Sequence, residues 1–363
     1  MRSCVLPWWA LLAASITTAC TTQPFFVQVI DAGPITYDQP PASCPDAGPF
    51  LCAAPSAIVD CVCTPLPFGA GFPTMQSACA DIGGARGPAT DHCVASPGSA
   101  PDLSCMATPP TAGTSSPVTL YGVLDVFGDG PDSDAVGISV YRQNADGSVG
   151  ALVGSATSSI HGCSEIQTRS TGQQRTLGFY TIPNVPSEVP LVVRTQGDTN
   201  VWATVNAFGI ALSNGDVQAS IDTGCGIVQN AVSFRPFAMS HAELQNLPME
   251  AGLSVAPGGG VVMGEVHDCS DIRLTLAQVG VSGYPTERVY FGDVADAPFP
   301  APSHSQGTGA LGLFAAFGIA SSSVDIRALG DVDGAPTMLG GYSVPVDPGT
   351  VTFVTLRGRR AWQ

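Results

Sequence analysis

The sequence predicts a mainly β protein with two tandem sandwiches, and three observations support that prediction. Segments such as Val118–Asp125 and Val136–Tyr141 alternate apolar and polar residues, which is the pattern of half-buried strands. The chain contains 42 Gly and 31 Pro, which form turns between strands, and only 12% of its residues are charged. Related strand segments recur in the same order farther along the chain, which predicts two copies of one unit.

The first twenty residues have the three parts of an export signal. Arg2 gives a positive start, Val5–Ile16 is apolar but too short to span a bilayer, and small residues precede Cys20. This segment resembles a bacterial lipoprotein signal, in which cleavage before the cysteine accompanies acylation of its thiol. The resemblance implies that residues 1–19 are removed and that lipid on Cys20 anchors the chain in the bacterial cell envelope, where we expect the outer membrane. An ordinary secretory signal, with Cys20 as a disulfide cysteine, is the alternative.

The charge of the chain excludes several classes of partner. The net charge is −16, and the 13 basic residues are all arginine. Such a chain repels nucleic acid and anionic lipid headgroups, so we expect membrane contact through the lipid anchor alone. Residues 20–43 include Pro34, Pro40 and Pro41 and offer few candidate core residues, which predicts a tether between the anchor and the folded body.

A cysteine-rich module is predicted at residues 44–105. In an exported chain, cysteines at this density form disulfides that stabilise a unit with a small core. Cys61 and Cys63, with His92, lack the paired C-x-x-C spacing of zinc sites, so no metal is predicted. The module holds an odd number of cysteines, and three more follow it, which predicts five disulfides with at least one leaving the module. The candidates are Cys44, Cys52, Cys61, Cys63, Cys79, Cys93, Cys105, Cys163, Cys225 and Cys269.

The remainder of the chain is predicted to contain one short helix between the two β units. Ser240 is suited to cap a helix, and Glu243 is an acid at the third helical position. We therefore expect a helix from His241 to Leu247 that ends near Pro248. The predicted divisions are a linker at 106–117, a first sandwich at 118–238, the helix with a Gly-rich hinge at 239–259, and a second sandwich at 260–363.

The strand segments of the two copies correspond in order and spacing. They are Gly122–Asp125, Val136–Ser139, Gly178–Ile182 and Leu191–Gly197 in the first copy, and Gly264–Asp268, Val279–Ser282, Gly312–Ala316 and Val324–Gly330 in the second. This pattern resembles the carboxypeptidase regulatory-like domain over about Pro117–Gly215 and Gly260–Gly358. The resemblance implies seven-stranded, transthyretin-like Greek-key sandwiches without catalytic residues of their own. Gly150–Leu177 and Tyr284–Gly309 are then insertions in the loops.

Two short segments combine an imidazole, a thiol and a carboxylate, which are the ingredients of a metal site or of a cysteine nucleophile. Disulfide formation is the favoured interpretation of both thiols, because the chain is expected to be exported. The two segments also fall at different places in the two copies, which favours a coincidental likeness. They are His161, Cys163 and Glu165 in the first copy, and His267, Cys269 and Asp271 in the second.

Two other patterns suggest ligands but have a plainer explanation. Gly307–Gly312 has the glycine spacing of a dinucleotide site, with Asp331 downstream, but a strand-like segment follows it where that site requires a helix. Clustered turn acids are candidate calcium ligands, although their spacing is not that of an EF-hand, and we expect them to be solvated. These acids are Asp125, Asp129, Asp132 and Asp134 in one turn, and Asp331 and Asp333 in another.

The leading functional prediction is a non-catalytic, lipid-anchored cell-surface protein whose sandwiches act as spacers or protein-binding modules. Neither enzymatic activity nor a cofactor is predicted, because the histidines His92, His161, His241, His267 and His304 share no motif. The alternative is a carbohydrate-binding surface lipoprotein that stacks aromatic rings on sugars, although we expect these rings in the core or at sheet edges. The aromatic candidates are Trp202, Tyr284, Tyr290 and Phe291.

Overall fold

The fold is mainly β, as the sequence predicts. The structure, a computed structural model, describes residues 100–357 apart from 108–110, 112, 169–172, 256–257, 282–287, 292–306, 321 and 333–334, together with five short strands before residue 100. The predicted signal peptide, the predicted acylation site Cys20 and most of the predicted cysteine-rich module lie outside the described residues.

The described elements are short strands interrupted by two helices and one 3-10 turn. Up to the middle of the chain they are β1 (Ile35–Thr36), β2 (Leu51–Cys52), β3 (Ser56–Val59), β4 (Val62–Pro65), β5 (Gln76–Ser77), α1 (Ser104–Ala107), β6 (Pro117–Val123), β7 (Asp125–Phe127), β8 (Gly137–Gln143), β9 (Val149–Thr157), β10 (Ser159–Thr168), β11 (Gln174–Pro186) and β12 (Leu191–Gln196). They continue with β13 (Trp202–Ala203), β14 (Val205–Ile210), the 3-10 turn Asn214–Asp216, β15 (Gln218–Asp222), β16 (Ile227–Ser233), β17 (Phe237–Ser240), α2 (His241–Glu250), β18 (Gly260–Val266), β19 (Leu274–Thr275), β20 (Gln278–Val281), β21 (Arg288–Tyr290), β22 (Leu313–Ile319), β23 (Ser322–Val332), β24 (Ala335–Val346) and β25 (Val351–Leu356).

One eight-stranded sheet contains strands from both predicted copies, and we call it the shared sheet. Its order is β21-β22-β18-β25-β14-β12-β8-β9. The late strand β25 lies between β18 and β14 and is parallel to both, with Val351 opposite both Val205 and Val261. Backbone pairing therefore joins the two halves of the chain directly, across the position of the predicted hinge. The seven-strand Greek-key count of each copy stays a prediction.

Three larger sheets accompany the shared sheet, and the two-stranded pairs β1-β2, β3-β4 and β5-β19 add to them. We call the five-stranded sheet β10-β11-β6-β16-β15 the first sheet. We call the three-stranded sheet β20-β23-β24 the third sheet, counting the shared sheet as the second. A small sheet has the order β13-β17-β7. The first sheet packs on one part of the shared sheet around Leu120, Ile138 and Val193. The third sheet packs around Phe314 and Ile326. Because successive side chains of a strand point to opposite faces, the shared sheet contributes to both cores.

Strand β12 illustrates this two-sided role of the shared sheet. Val193 belongs to the core under the first sheet, whereas its neighbour Val192 belongs to the core under the third sheet. A third apolar cluster contains Leu247 of α2 together with Met263 and Phe317 of the shared sheet. Helix α2 thus contributes to an apolar layer on the shared sheet.

The start of helix α2 agrees with the sequence, but the predicted end is wrong. The Ser240 hydroxyl oxygen accepts a hydrogen bond from the Glu243 amide at 3.1 Å, as expected for a helix cap. The helix continues through Pro248 to Glu250. Proline removes only one amide donor, and the next turn still forms, because the Ala251 amide bonds to the Leu247 carbonyl at 3.0 Å. Burial of Pro248 holds the turn in place.

The first predicted insertion, Gly150–Leu177, is largely strand and not loop. It supplies most of β9, which is an edge strand of the shared sheet, and β10, which is an edge strand of the first sheet. These two strands contain several Gly, Ser and Thr residues and few buried positions, so the apolar alternation used to recognise strands is weak there. Most of the second predicted insertion lies outside the described residues, although β21 and the buried Phe291 belong to it.

Two disulfides tie distant parts of the described chain together. Cys105 is bonded to Cys269, which joins the end of the predicted cysteine-rich module to the loop after β18. Cys163 of β10 is bonded to Cys225 in the turn between β15 and β16. The module also contributes the short strand β5, which pairs with β19 in the same region as the first disulfide. The remaining cysteine candidates lie among the residues whose side chains are not described.

Candidate functional site around His267

A group of five charged side chains surrounds His267, just beyond the end of β18. We call Glu265, His267, Asp271, Arg273 and Arg357 the ionic cluster. The two-residue period of a strand places Glu265 and His267 on one face. The loop then turns back, with Asp271 in the left-handed backbone region at a φ of 65°, and Arg273 forms an isolated bridge with His267. Arg357 arrives from the end of β25.

The side chains of the ionic cluster form a continuous chain of alternating charge. His267 Nδ1 lies 2.9 Å from Asp271 Oδ1, and its Nε2 lies 2.9 Å from Glu265 Oε2. Arg273 Nη2 donates to Glu265 Oε1 at 3.1 Å, and Arg357 Nη1 lies 2.8 Å from Asp271 Oδ1. Each of the two carboxylates therefore contacts both the imidazole and one guanidinium, an arrangement that keeps buried charges paired.

The surroundings of His267 keep its ring positively charged. Burial by itself lowers the pKa of His267, but hydrogen bonds to Asp271 and Glu265 and the charges of these carboxylates outweigh it and raise the pKa to about 9. Burial likewise raises the pKa of Glu265, whereas the charge of Arg273 and the hydrogen bond from His267 outweigh it and lower that pKa to about 2. Both partners are consequently ionised at neutral pH.

This protonation state limits what the ionic cluster can do chemically. A protonated imidazole donates from both ring nitrogens, and His267 directs both of them at carboxylates, so neither carries a lone pair for a metal or a proton. Within the part of the chain that the structure describes, no three His, Cys, Asp or Glu side chains are grouped to hold a metal ion. The geometry suits an electrostatic anchor that fixes the loop 267–273 and connects the ends of β18 and β25.

The opposite side of the same loop holds the segment that leads out of the cysteine-rich module. The Asp102 amide donates to Asp268 Oδ2 at 3.1 Å, and the Cys269 amide donates to the Asp102 carbonyl oxygen at 2.9 Å. The Ser270 hydroxyl donates to Asp102 Oδ2 at 2.8 Å. Together with the disulfide between Cys105 and Cys269, these bonds fasten residues 102–105 to the loop.

The other imidazole, thiol and carboxylate segment is built differently. His161 is exposed, Cys163 is bonded to Cys225, and Glu165 forms an ion pair of 2.7 Å with Arg235. In the second segment, His267 is buried in the ionic cluster and Cys269 forms a disulfide. Both thiols are therefore in disulfides, and the two sequence segments do not form equivalent sites.

The acids of the first Asp-rich turn hold backbone amides in separate places. Asp132 Oδ1 accepts from the Thr176 amide at 2.7 Å, and Asp134 Oδ1 accepts from the Ile160 amide at 3.1 Å. Asp125 Oδ1 accepts from the amide of the next residue at 2.8 Å, and Asp129 is exposed. These carboxylates anchor the turn to neighbouring strands. The side chains of Asp331 and Asp333 lie outside the described residues.

The aromatic residues considered for sugar stacking and the glycines considered for a dinucleotide site belong largely to the core and to turns between strands. Trp202 and Phe291 are buried, and Phe291 packs edge-on against Phe127 with ring centroids 5.8 Å apart. The side chains of Tyr284 and Tyr290 lie outside the described residues. Gly307–Gly312 is followed by strand β22 and not by a helix, which removes the structural context of a dinucleotide site.

A second polar junction, which the sequence did not predict, joins the turn after β7 to helix α2. Arg175 is buried and donates to the carbonyl oxygens of Val126 and, at 2.8 Å, of Gly128. Glu243 Oε2 accepts from the Asp129 amide at 3.0 Å. Glu243 was expected to act within its own helix, whereas its carboxylate holds a turn that is distant in sequence. Nothing in the sequence signals this junction, because Arg175 lies in the segment 150–177 that was predicted to be a loop insertion, and its burial is visible only in the fold.

These features define a mainly β body of stacked sheets with a buried ionic anchor. No family model matches the chain, and no curated protein matches it by sequence. Among solved structures, a fimbrial protein from Bacteroides ovatus aligns with 68% of this chain at 6% identity and a TM-score of 0.15. The chain spans about half of that protein's length, 50%, and a similarity at this level supports no argument about fold or function. Among the described residues, no helix is long and apolar enough to cross a membrane.

Proposed function

We propose that this chain is a non-catalytic protein of the bacterial cell surface, anchored by lipid on Cys20, whose β body acts as a rigid spacer and protein-binding module. In this proposal, residues 1–19 are a lipoprotein signal, residues 20–43 are the tether, and the two copies are transthyretin-like sandwiches of the carboxypeptidase regulatory-like type. Attachment to the outer membrane is part of the same proposal.

The observation that carries the proposal is the position of β25 between β18 and β14 in the shared sheet. A hinge between two separate sandwiches would let them rotate, whereas hydrogen bonds on both sides of one strand resist such rotation. The ionic cluster supports the same argument, because Arg357 at the end of β25 is held by Asp271. A body that is joined in this way suits a spacer that presents its loops and edges in a fixed arrangement relative to one another.

Two further observations support an exported, recognition-type protein. The disulfides Cys105–Cys269 and Cys163–Cys225 are typical of proteins that mature outside the reducing cytosol. His267, the most buried histidine described, is engaged at both nitrogens in holding a loop. These contacts favour a structural role for the ionic cluster.

Membrane attachment is tested by the Cys20→Ser variant of the full chain, with Cys4→Ser as a matched control inside the signal. We expect the wild type and the Cys4→Ser variant in the detergent phase after Triton X-114 partitioning. The Cys20→Ser variant should appear in the aqueous phase and keep its signal uncut at that bond, because acylation precedes this cleavage. Release of the wild-type protein from cells without detergent would contradict the lipid anchor.

The non-catalytic part of the proposal is tested by screening the purified protein against esters, glycosides, peptides and catechols with metal ions supplied. We expect no turnover above the rate of a sample inactivated by heat. Turnover that is lost in a His267→Gln or a His161→Gln variant would overturn the proposal and assign chemistry to these residues.

A further inference from the structure

The shared sheet exposes part of one face, and strand register arranges its side chains in two rows. The register pairs run from β9 through β8, β12 and β14 towards β25, so each row crosses the sheet perpendicular to the strands. The polar row is Ser155, Ser139, Arg194, Asn206 and Thr352. The neighbouring apolar row begins with Leu152, Tyr141 and Val192.

Both rows pass from a covered region of the shared sheet to an open one. Val192 is buried in the core under the third sheet, Tyr141 packs at the rim of that core, and Leu152 is 57% exposed. In the polar row, Asn206 is buried and Arg194 is half-buried. The open part of the face therefore presents one guanidinium beside an aromatic ring and an aliphatic side chain.

Arg194 is fixed by contacts that do not neutralise its charge. Its Nε donates to Asn206 Oδ1 at 2.7 Å, and its guanidinium carbon lies 5.1 Å from the centroid of the Tyr141 ring. By contrast, Arg235 is paired with the carboxylate of Glu165, and Arg273 is paired with that of Glu265. In the described part of the chain, no carboxylate forms an ion pair with Arg194. An aromatic face and an amide oxygen orient a guanidinium while its two terminal nitrogens remain suited to a carboxylate.

We propose that this face binds an acidic segment of a partner protein. A carboxylate of that segment pairs with the Nη atoms of Arg194, an adjacent apolar side chain packs on Leu152 and Tyr141, and Ser139 and Ser155 are available for hydrogen bonds. This inference rests on the proposed protein-binding function and names its surface and the chemistry of its partner.

A peptide fits this surface better than an acidic sugar does. Sugars stack on an open aromatic ring, whereas Arg194 already lies over the Tyr141 ring. Leu152 offers only aliphatic surface, which suits an apolar side chain. An isolated anion would use Arg194 and leave Leu152 without a role.

The test selects peptides from a phage-displayed library of random heptapeptides on the full, detergent-solubilised protein. Selected sequences should contain Asp or Glu next to an apolar residue. Affinities are then measured by fluorescence anisotropy with synthetic peptides of those sequences. The Arg194→Ala variant should bind them at least about tenfold more weakly, because a charge-assisted pair is lost.

Arg142 provides a matched control, because it follows Tyr141 in β8, is exposed and lies on the opposite face of the strand. The Arg142→Ala variant removes the same charge and should change affinity less than about twofold, as exposed charges do. Leu152→Ser tests the apolar half at an exposed position whose loss does not disturb the core, and it should also weaken binding. Urea unfolding midpoints confirm that each variant is folded.

Three outcomes would overturn the inference. The first is a selection that enriches no sequence or enriches only sequences without acidic residues. The second is an equal loss of peptide affinity in the Arg194→Ala and Arg142→Ala variants. The third is binding of acidic glycans on an array that depends on Arg194, with no binding of peptides. Peptides that bind but ignore both Arg194→Ala and Leu152→Ser would reject this surface and leave the protein-binding function standing.

Discussion

Raising the pH from 6.5 to 9 should destabilise the folded protein through the single residue His267. In the fold its pKa is raised to about 9, whereas the value for an unfolded chain is 6.5. The folded state therefore keeps a proton that the unfolded state releases, and the unfolding free energy falls as pH rises through this window. The stabilisation is fully present below pH 6.5 and is lost as pH passes the folded pKa.

The size of the effect follows from the difference between the two pKa values. One pKa unit corresponds to about 1.4 kcal/mol, so the shift of His267 corresponds to roughly 3 kcal/mol between the ends of the window. Glu265 contributes in a different range, because its pKa is lowered to about 2 from its ordinary value of 4.5. Its stabilisation is present above pH 4.5 and is lost as pH falls towards 2, so it does not overlap the titration of His267.

Urea unfolding followed by tryptophan fluorescence measures this dependence at pH values from 6 to 9.5. The chain contains no lysine, a residue type whose titration would begin near the upper end of the window. Burial raises the pKa of Tyr180 further above its usual range, so this residue acts only at higher pH. The wild type should lose roughly 3 kcal/mol across the window. The His267→Gln variant should show almost none of that slope, and the exposed-site control His161→Gln should keep it. A flat wild-type profile, or an unchanged slope in His267→Gln, would refute the reasoning.

Three other changes should lower stability by amounts that the structure sets. Replacing both Cys105 and Cys269 by serine opens a loop with a sequence separation of 164 and should lower the free energy of unfolding in urea by up to about 5 kcal/mol. An unchanged urea midpoint would contradict a stabilising role for this disulfide. Ser240→Ala removes the α2 cap and should cost about 1 kcal/mol, seen as a lower Tm, whereas an equal or higher Tm would contradict that role. Phe208→Ala empties a site in the core under the third sheet and should cost about 3 to 5 kcal/mol by the same urea assay, and a cost below about 1 kcal/mol would disagree with its burial.

Local signals in the sequence predict local structure well in this chain. The pair Ser240 and Glu243 predicts the start of α2, because a cap depends on residues three positions apart. The alternation of apolar and polar residues in 136–141 predicts β8, because this signal also depends only on neighbouring residues. The end of α2 differs because burial of Pro248 and the bonds of the following turn outweigh the usual effect of proline. Tertiary packing decides such cases, and packing is not visible in a local pattern.

The sequence did not predict the long-range pairing of strands, because such pairing depends on residues that are far apart along the chain. Nothing in 351–356 indicates that this strand pairs with 205–208 as well as with its own half. The ionic cluster has the same origin, since His267 and Asp271 are four residues apart but Arg357 arrives through the placement of β25. The sequence places His267 and Asp271 in one short segment with Cys269, and only the fold gives them Glu265, Arg273 and Arg357 as partners.

The central claim is that the two halves form one rigid body through the shared sheet, and hydrogen exchange in urea tests it most directly. Mass spectrometry would follow the amides of β12 in the first half and of β23 in the third sheet as urea is raised. We predict that both sets lose protection through one unfolding reaction, with the same midpoint and the same dependence on urea. Loss of protection in β23 at a urea concentration where β12 remains protected, or the reverse, would contradict the claim and restore two independent sandwiches.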